Sequence, residues 1–169
     1  MVKPLIVDLP YPEIKDVAPS KKSAMIIAPA YSGLSGEITA ILGYTYHSFY
    51  FDEYYKEIAL VLEGIALAEM KHFDMLGRLM LKLGVSPIIS QVPPYQYDFY
   101  NTSRVSYSKT PHKMLLDDIT GEMKAIIEYK KMLERLDDEY VSAIISRIIL
   151  DEELHVKILK TQLEKLNIS

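Results

Sequence analysis

The sequence predicts an all-α protein, a four-helix bundle made of two αα-hairpins that are joined by a long crossover connection. Apolar residues recur at helical spacing through four long stretches, and glycines or prolines separate these stretches. A nine-residue pattern, G-E-x-x-A-I-[LI]-x-Y, also occurs once in each half of the chain. We divide the 169 residues into an extended N-terminal arm, residues 1–20, and the bundle, residues 21–169.

The composition fits one globular domain and excludes several classes of function. The net charge of −4, with no cluster of Lys and Arg, argues against a nucleic-acid partner. The absence of cysteine excludes disulfides, thiolate catalysis and Cys-ligated metal sites. The first residues lack the pattern of a signal peptide, and no apolar run approaches the length of a membrane span. We therefore expect a cytoplasmic protein without a membrane partner.

The N-terminal arm and the first helix are marked by prolines. Four prolines and no helical period predict an extended arm that lies on the surface, packs on a neighbouring subunit, or is disordered. Helix A is predicted over residues 21–51, with Ser20 as its N-cap. Pro29 should kink this helix or break its first turns.

Helix B should begin after Asp52, as its N-cap, and end at Gly84. The connection over residues 85–110 is long enough to run the length of the bundle. Its many aromatic residues predict that it packs on the bundle surface, and a substrate lid is a second interpretation. Helix C is predicted from Thr110-Pro111 to residue 135, and helix D from the link 136–138 to residue 166.

Two Glu-x-x-His pairs interrupt otherwise apolar helix faces. Glu69 and His72 lie on the inward stripe of helix B, and Glu152 and His155 lie on that of helix D. Residues i and i+3 share one face of a helix, one turn apart. A carboxylate and an imidazole so placed can bind one metal ion together.

The repeated pattern adds a single glutamate to each pair. Its two copies, at 36–44 and 121–129, carry Glu37 and Glu122. The gaps from these residues to Glu69 and Glu152 are 32 and 30 residues, which suits two copies of one helical hairpin related by an approximate two-fold axis. The four glutamates fall near the middle of their helices, so they should meet at one level of the core.

Four buried carboxylates need compensation. Each costs several kcal/mol when it is unpaired, and together they repel one another. Two divalent cations would balance four carboxylates, and two neutral imidazoles would complete the ligand set. Carboxylate and imidazole ligands suit iron and manganese, and no soft sulfur ligand favours copper(I). The alternative is a core salt-bridge cluster without metal.

The six residues resemble the dinuclear site of the ferritin-like superfamily, most closely its rubrerythrin-like and manganese-catalase-like members. The resemblance runs from about Tyr31 to the C-terminus. It implies that Glu37 and Glu122 are terminal ligands and that Glu69 and Glu152 bridge the two metals. His72 and His155 would each complete the coordination of one metal.

The resemblance extends to residues around these ligands. Tyr44 and Tyr129 follow Glu37 and Glu122 by two helical turns, so their hydroxyls could reach the terminal carboxylates. The alternative is that both are plain core aromatic residues. Asp118, one turn before Glu122, either contacts the site or faces solvent.

Asp151 resembles the aspartate that accepts a proton from a metal-bound histidine in this family, here His72. The equivalent position in helix B is Ala68, so we expect His155 to lack such a partner. The two metals would then differ in affinity or redox behaviour.

The chain also departs from its apparent relatives. Rubrerythrins carry an additional glutamate one turn after the helix C ligand, and Ala125 stands there. They often carry a Cys-rich rubredoxin domain, whereas this chain has no cysteine, and classical manganese catalases are longer. Any electrons would therefore come from a separate partner.

Our first hypothesis for function is a dinuclear non-haem oxidoreductase that acts on hydrogen peroxide or dioxygen, with two iron ions or, alternatively, two manganese ions. Iron would require a separate electron donor, whereas peroxide disproportionation by manganese would not. We expect a homo-oligomer, with a dimer as the favoured size. The alternatives are a ferroxidase or iron-storage protein, and a structural coat-type protein in which metal stabilises the fold.

Overall fold

The computed structural model describes residues 2–15, 17–95 and 98–168, and it confirms the all-α four-helix bundle. Residues 1, 16, 96, 97 and 169 of the predicted arm, connection and last helix lie outside the described residues. The helices of the described chain are α1 (Lys21–Ser32), α2 (Glu37–Tyr54), α3 (Lys56–Lys82), α4 (Pro111–Leu133) and α5 (Glu139–Ile168), with one 3-10 turn at Thr102–Arg104. Hairpins α2–α3 and α4–α5 form the bundle.

The first predicted helix is two helices, α1 and α2. The break lies at Gly33 and Gly36, after Pro29, which remains inside α1. At these glycines the backbone turns too tightly for a side chain, because a Cβ at Gly36 would stand 2.8 Å from the carbonyl oxygen of Ala30. The new start places Glu37 in the first turn of α2, where the helix dipole favours a carboxylate.

The predicted boundary between helices A and B was wrong by a few residues. Asp52 lies inside α2, and α3 begins after Tyr55. Instead of capping a helix, Asp52 forms an exposed ion pair with Lys56 one turn later. The pair therefore links the last turn of α2 to the first residue of α3 across the break at Tyr55.

The core consists of two apolar clusters, one towards each end of the bundle. The first joins α1 to the C-terminal half of α3 and the N-terminal half of α5. The second joins α2 to the N-terminal half of α3 and to α4. The buried Glu and His of α3, and Asp151, Glu152 and His155 of α5, lie between the two clusters along each helix. The bundle therefore isolates a polar middle layer between two apolar ends.

The connection from α3 to α4 packs along α1 and α2. The Ser32 hydroxyl donates to the carbonyl of Ser90 (3.1 Å), and the Thr39 and Tyr100 hydroxyls lie 3.0 Å apart. The Tyr107 ring contacts that of Tyr46 edge-on. These contacts agree with the predicted packing of aromatic residues on the bundle, although Phe99 is exposed.

The segment Lys21–Tyr54, which contains α1 and α2, is long and apolar enough by length and composition to cross a membrane. No apolar run of this length was expected from the sequence. Of the 18 consecutive residues that are most apolar in this segment, 56% are buried inside the bundle, as expected for core helices.

Candidate metal centre

The two Glu-x-x-His pairs face each other across the middle of the bundle. Glu69, His72, Glu152 and His155 are all at most 1% exposed. The Nδ1 atom of His72 lies 3.2 Å from a carboxylate oxygen of Glu69 and 3.2 Å from one of Glu152. The Nδ1 atom of His155 lies 3.0 Å and 3.3 Å from the same two residues.

Glu37 and Glu122 complete two overlapping groups of ligands. Within each group the candidate ligand atoms lie within 4.8 Å of one another, and both groups share Glu69 and Glu152. One group adds Glu37 and His72, and the other adds Glu122 and His155. The structure thus brings all six predicted residues together, in an arrangement where two carboxylates can bridge two ions.

The donor atoms at the centre fit a pair of cations. Among the described residues, one oxygen of Glu69, both oxygens of Glu152 and the Nδ1 atom of His155 are buried without a hydrogen-bond partner. A buried carboxylate oxygen without a partner is costly, so these atoms need a ligand. Divalent iron or manganese, which accept carboxylate and imidazole ligands, would satisfy them.

The outer and inner carboxylates differ in their proton affinity. Burial and the charge of Glu69 raise the pKa of Glu37 well above its usual range. Burial and the charges of Glu152 and Glu69 do the same for the pKa of Glu122. Without cations, both outer carboxyl groups therefore favour the protonated form.

The inner pair behaves in the opposite way. Burial alone would raise the pKa of Glu152, but the adjacent imidazoles of His155 and His72 hold it well below its usual range. Burial and the charge of Glu152 would raise the pKa of Glu69, but its contacts with Glu37, His155 and His72 lower it. Burial opposes the charge of both histidines, yet the adjacent carboxylates raise their pKa values well above the ordinary value. Without cations, protons on the outer carboxyl groups and the two histidines therefore offset the negative charge of the centre.

The two tyrosines contact the outer carboxylates across the bundle. Tyr44 on α2 donates to Glu122 on α4, and Tyr129 on α4 donates to Glu37 on α2. Each tyrosine therefore donates a hydrogen bond to the glutamate of the other repeat. This pairing shows that α2 and α4 run antiparallel at this level. Burial, followed by the adjacent carboxylate, raises the pKa of both phenols, so both remain hydrogen-bond donors.

Asp151 contacts His72, as the sequence predicted. Its Oδ2 atom lies 3.0 Å from Nε2 of His72, and Arg147 pairs with its other oxygen at 2.7 Å. Although burial opposes ionisation, the hydrogen bonds from His72, Tyr11 and Arg147 lower the pKa of Asp151 to about 2. The carboxylate is therefore a permanent acceptor behind this histidine.

Behind His155, a backbone carbonyl stands where His72 has an aspartate. The Nε2 atom of His155 lies 2.8 Å from the carbonyl oxygen of Leu5 in the N-terminal arm. The sequence did not reveal this acceptor, because the arm has no counterpart in the internal repeat. Sequence reasoning also missed Tyr11 and Arg147. The position of Arg147 one turn before Asp151 was the available signal.

A cavity of about 580 Å³ opens between α2 and α4 and reaches the centre. All four glutamates line it, and Arg104 of the connection lines it further out. Asp118, left open by the sequence, is also in its wall, where its carboxylate meets Nδ1 of the buried His47 at 2.8 Å. The cavity gives small molecules a path to the carboxylates.

The comparisons with known proteins agree with this geometry. The family model of the ferritin-like domain matches residues 32–169. No curated protein sequence matches the chain. Among solved structures, the chain is similar to KatB, a manganese catalase from Anabaena, with a TM-score of 0.84 and 19% identity over 95% of this chain and 80% of that one.

Two bacterioferritins are also similar in fold. That of Rhodobacter capsulatus, solved with a metal-free dinuclear site and a heme iron, has a TM-score of 0.74 and 23% identity over 89% of each chain. BfrA of Mycobacterium tuberculosis has a TM-score of 0.70 and 22% identity over 89% of each chain. The family match covers α2 to α5 and all six clustered residues. The chain therefore belongs to the ferritin-like family.

Proposed function

We propose that this protein is a dinuclear non-haem metal oxidoreductase that acts on hydrogen peroxide or dioxygen. The observation that carries the proposal is the pair of overlapping ligand groups, which share Glu69 and Glu152 and line a cavity open to solvent. Glu37 and His72 would complete one metal site, and Glu122 with His155 the other. Two adjacent ions that change oxidation state together supply two-electron chemistry for a bound O–O group.

The protein's own groups hold and orient this site. Tyr44 and Tyr129 fix the outer carboxylates through hydrogen bonds, and Tyr44 also lines the cavity. Asp151 orients His72 so that its Nδ1 atom faces the centre. The apolar clusters above and below keep bulk water away from the ligands, and the cavity admits the substrate from one side.

The choice between iron and manganese sets the reaction. With manganese, the similarity to a manganese catalase favours disproportionation of peroxide, which needs no outside reductant. With iron, we propose peroxidase or oxidase chemistry supplied with electrons by a separate protein. We keep the cytoplasm as the proposed location and a homo-oligomer as the proposed assembly.

Iron oxidation for storage is the second candidate, and the similarity to two bacterioferritins favours it. The same ligands would serve ferrous ion as substrate. The two candidates differ in what they assemble, because storage requires a closed shell of many subunits. A native mass near that of a dimer would exclude storage.

The deciding experiment is elemental analysis of protein purified without added metal, followed by assays of oxygen release from peroxide and of ferrous oxidation. Glu152→Gln removes a bridging carboxylate and should abolish either activity. Glu153→Gln is the matched control, since Glu153 is the exposed neighbour on the same helix. If Glu37→Ala only lowers the melting temperature of a protein without turnover, the structural role holds instead.

A further inference from the structure

The N-terminal arm reaches the imidazoles of both candidate histidine ligands. On one side, the carbonyl of Leu5 accepts a hydrogen bond from Nε2 of His155, at 2.8 Å. On the other side, the Tyr11 hydroxyl donates to Asp151, whose carboxylate bonds Nε2 of His72. One short stretch of extended chain therefore lies behind both histidines.

Further contacts hold this stretch in place. The amide of Leu5 donates to the carbonyl of Gly64 at 2.9 Å. The amide of Val7 donates to Oδ1 of Asp151 at 2.7 Å. The backbone amides of Leu5 and Val7 thus hold the arm on α3 and α5. The Leu5 carbonyl and the Tyr11 hydroxyl contact His155 and Asp151.

Arg147 joins the arm to the same carboxylate. It is only 5% exposed, and its guanidinium donates to the carbonyls of Val7 (2.8 Å) and Leu9 (2.9 Å). It also pairs with Asp151 at 2.7 Å and lies over the Tyr11 ring, 4.2 Å from its centroid. A buried guanidinium is stable only when its charge and its N–H groups are paired, and here backbone carbonyls of the arm accept most of its hydrogen bonds.

These contacts fix which nitrogen each histidine presents to a metal. A neutral imidazole that donates its Nε2 proton outwards leaves the Nδ1 lone pair facing inwards. In both histidines, Nδ1 is the atom nearest the bridging carboxylates. The partners are unequal, however, because His72 is backed by an ionised carboxylate and His155 by a neutral backbone carbonyl.

We propose that residues 5–11 of the N-terminal arm are a positioning element of the metal centre, which orients His72 through Tyr11 and Asp151 and orients His155 through the Leu5 carbonyl. This inference rests on the proposed dinuclear site. The arm sets the affinity of each metal site separately, and the site that contains His72 binds its ion more tightly.

The first test removes a single hydroxyl. Tyr11→Phe keeps the ring beside Arg147 but removes the donor to Asp151. Loss of such an outer contact typically weakens metal binding 10- to 100-fold, so we expect one of two cobalt(II) ions to bind about tenfold more weakly. Tyr55→Phe, which changes a tyrosine between α2 and α3, is the control and should bind cobalt(II) as the wild type does.

The second test displaces the arm at Leu5 without changing any residue of the arm. A Cβ at position 64 would stand 2.8 Å from Cγ of Leu5 and 3.1 Å from the carbonyl oxygen of Lys3. Gly64→Ala should therefore shift the Leu5 carbonyl and weaken the ion held by His155. Gly43→Ala is the control, because a Cβ at that helical glycine meets nothing within 4 Å.

The measurements are calorimetric titration of the full-length metal-free protein with cobalt(II) and the visible absorption of the bound ion. The inference is supported if each variant weakens one of two ions and leaves the other. If the wild type binds two ions and both variants match it, the arm has no positioning role. If the wild type binds none, the proposed metal centre itself is wrong. Should Gly64→Ala fail to fold, as judged by circular dichroism, Tyr11→Phe and its control decide the question.

Discussion

Loading the metal-free protein with two divalent ions should release protons, up to about four. The perturbation is the addition of manganese(II) to protein that has been stripped of metal. The expectation follows from the carboxylate and imidazole groups of the centre, which in the metal-free protein are balanced by protons. Metal ligands must be deprotonated, so the ions must displace those protons.

The magnitude follows from the direction of each pKa. Glu37, Glu122, His72 and His155 have raised pKa values and favour their protonated forms in the metal-free protein, so together they can supply at most four protons. Glu69 and Glu152 have lowered pKa values and favour their ionised forms. Four displaced protons make the overall loading constant rise by about 10⁴ per pH unit, equivalent to about 5 kcal/mol.

The assay is calorimetric titration at pH 6.5 in two buffers with different heats of ionisation, which gives the number of protons released. The double variant Glu37→Gln/Glu122→Gln replaces both outer carboxyl groups by neutral amides and should release only about two protons. Release of less than one proton by the wild type would mean that the ions bind elsewhere or that the centre is already ionised, and would contradict this prediction.

Three further predictions concern the surroundings of the centre. Tyr44→Phe or Tyr129→Phe removes one donor from an outer carboxylate and should weaken manganese(II) binding about tenfold in a competition with a chelator; equal affinity would mean that the phenols only fill space. Gly36→Ala should lower the free energy of unfolding by about 1–3 kcal/mol in urea, because its Cβ would stand 2.8 Å from the carbonyl oxygen of Ala30; an unchanged midpoint would contradict the tight turn. The melting temperature of metal-free protein should fall as pH rises from about 5 to about 9, because stability from groups with raised pKa values is lost as they deprotonate, whereas metal-loaded protein should show no such fall.

The fold and the position of the centre could be predicted because they depend on local patterns. Glu69 and Glu152 stood out as charged residues on apolar helix faces, and the repeat around Glu37 and Glu122 supplied the other half of the cluster. Residues near the middle of short-linked helices meet at one level of a bundle. The helical periodicity of the sequence is therefore enough to predict that these side chains meet.

The cross-pairing of the tyrosines could not be read from spacing. Tyr44 follows Glu37 by seven residues, which is about 10 Å along a helix. The contact with Glu122 depends on the antiparallel register of α2 and α4, which only tertiary packing sets.

The contribution of the arm was also beyond the sequence. Extended chain has no helical period that would indicate which residues face inwards, and the carbonyl of Leu5 is a backbone group that every residue possesses. Comparison of the repeats predicted that His155 would lack the aspartate partner that His72 has, because Ala68 stands at the equivalent position. The fold supplies a backbone carbonyl instead, from a segment outside the repeat.

The most direct test of the central claim is a crystal structure of manganese-loaded protein with anomalous diffraction measured at the manganese edge. We expect two anomalous peaks a few Å apart, both between Glu69 and Glu152, one beside His72 and the other beside His155. A single peak elsewhere, or none between these two glutamates in protein that binds manganese, would contradict that claim.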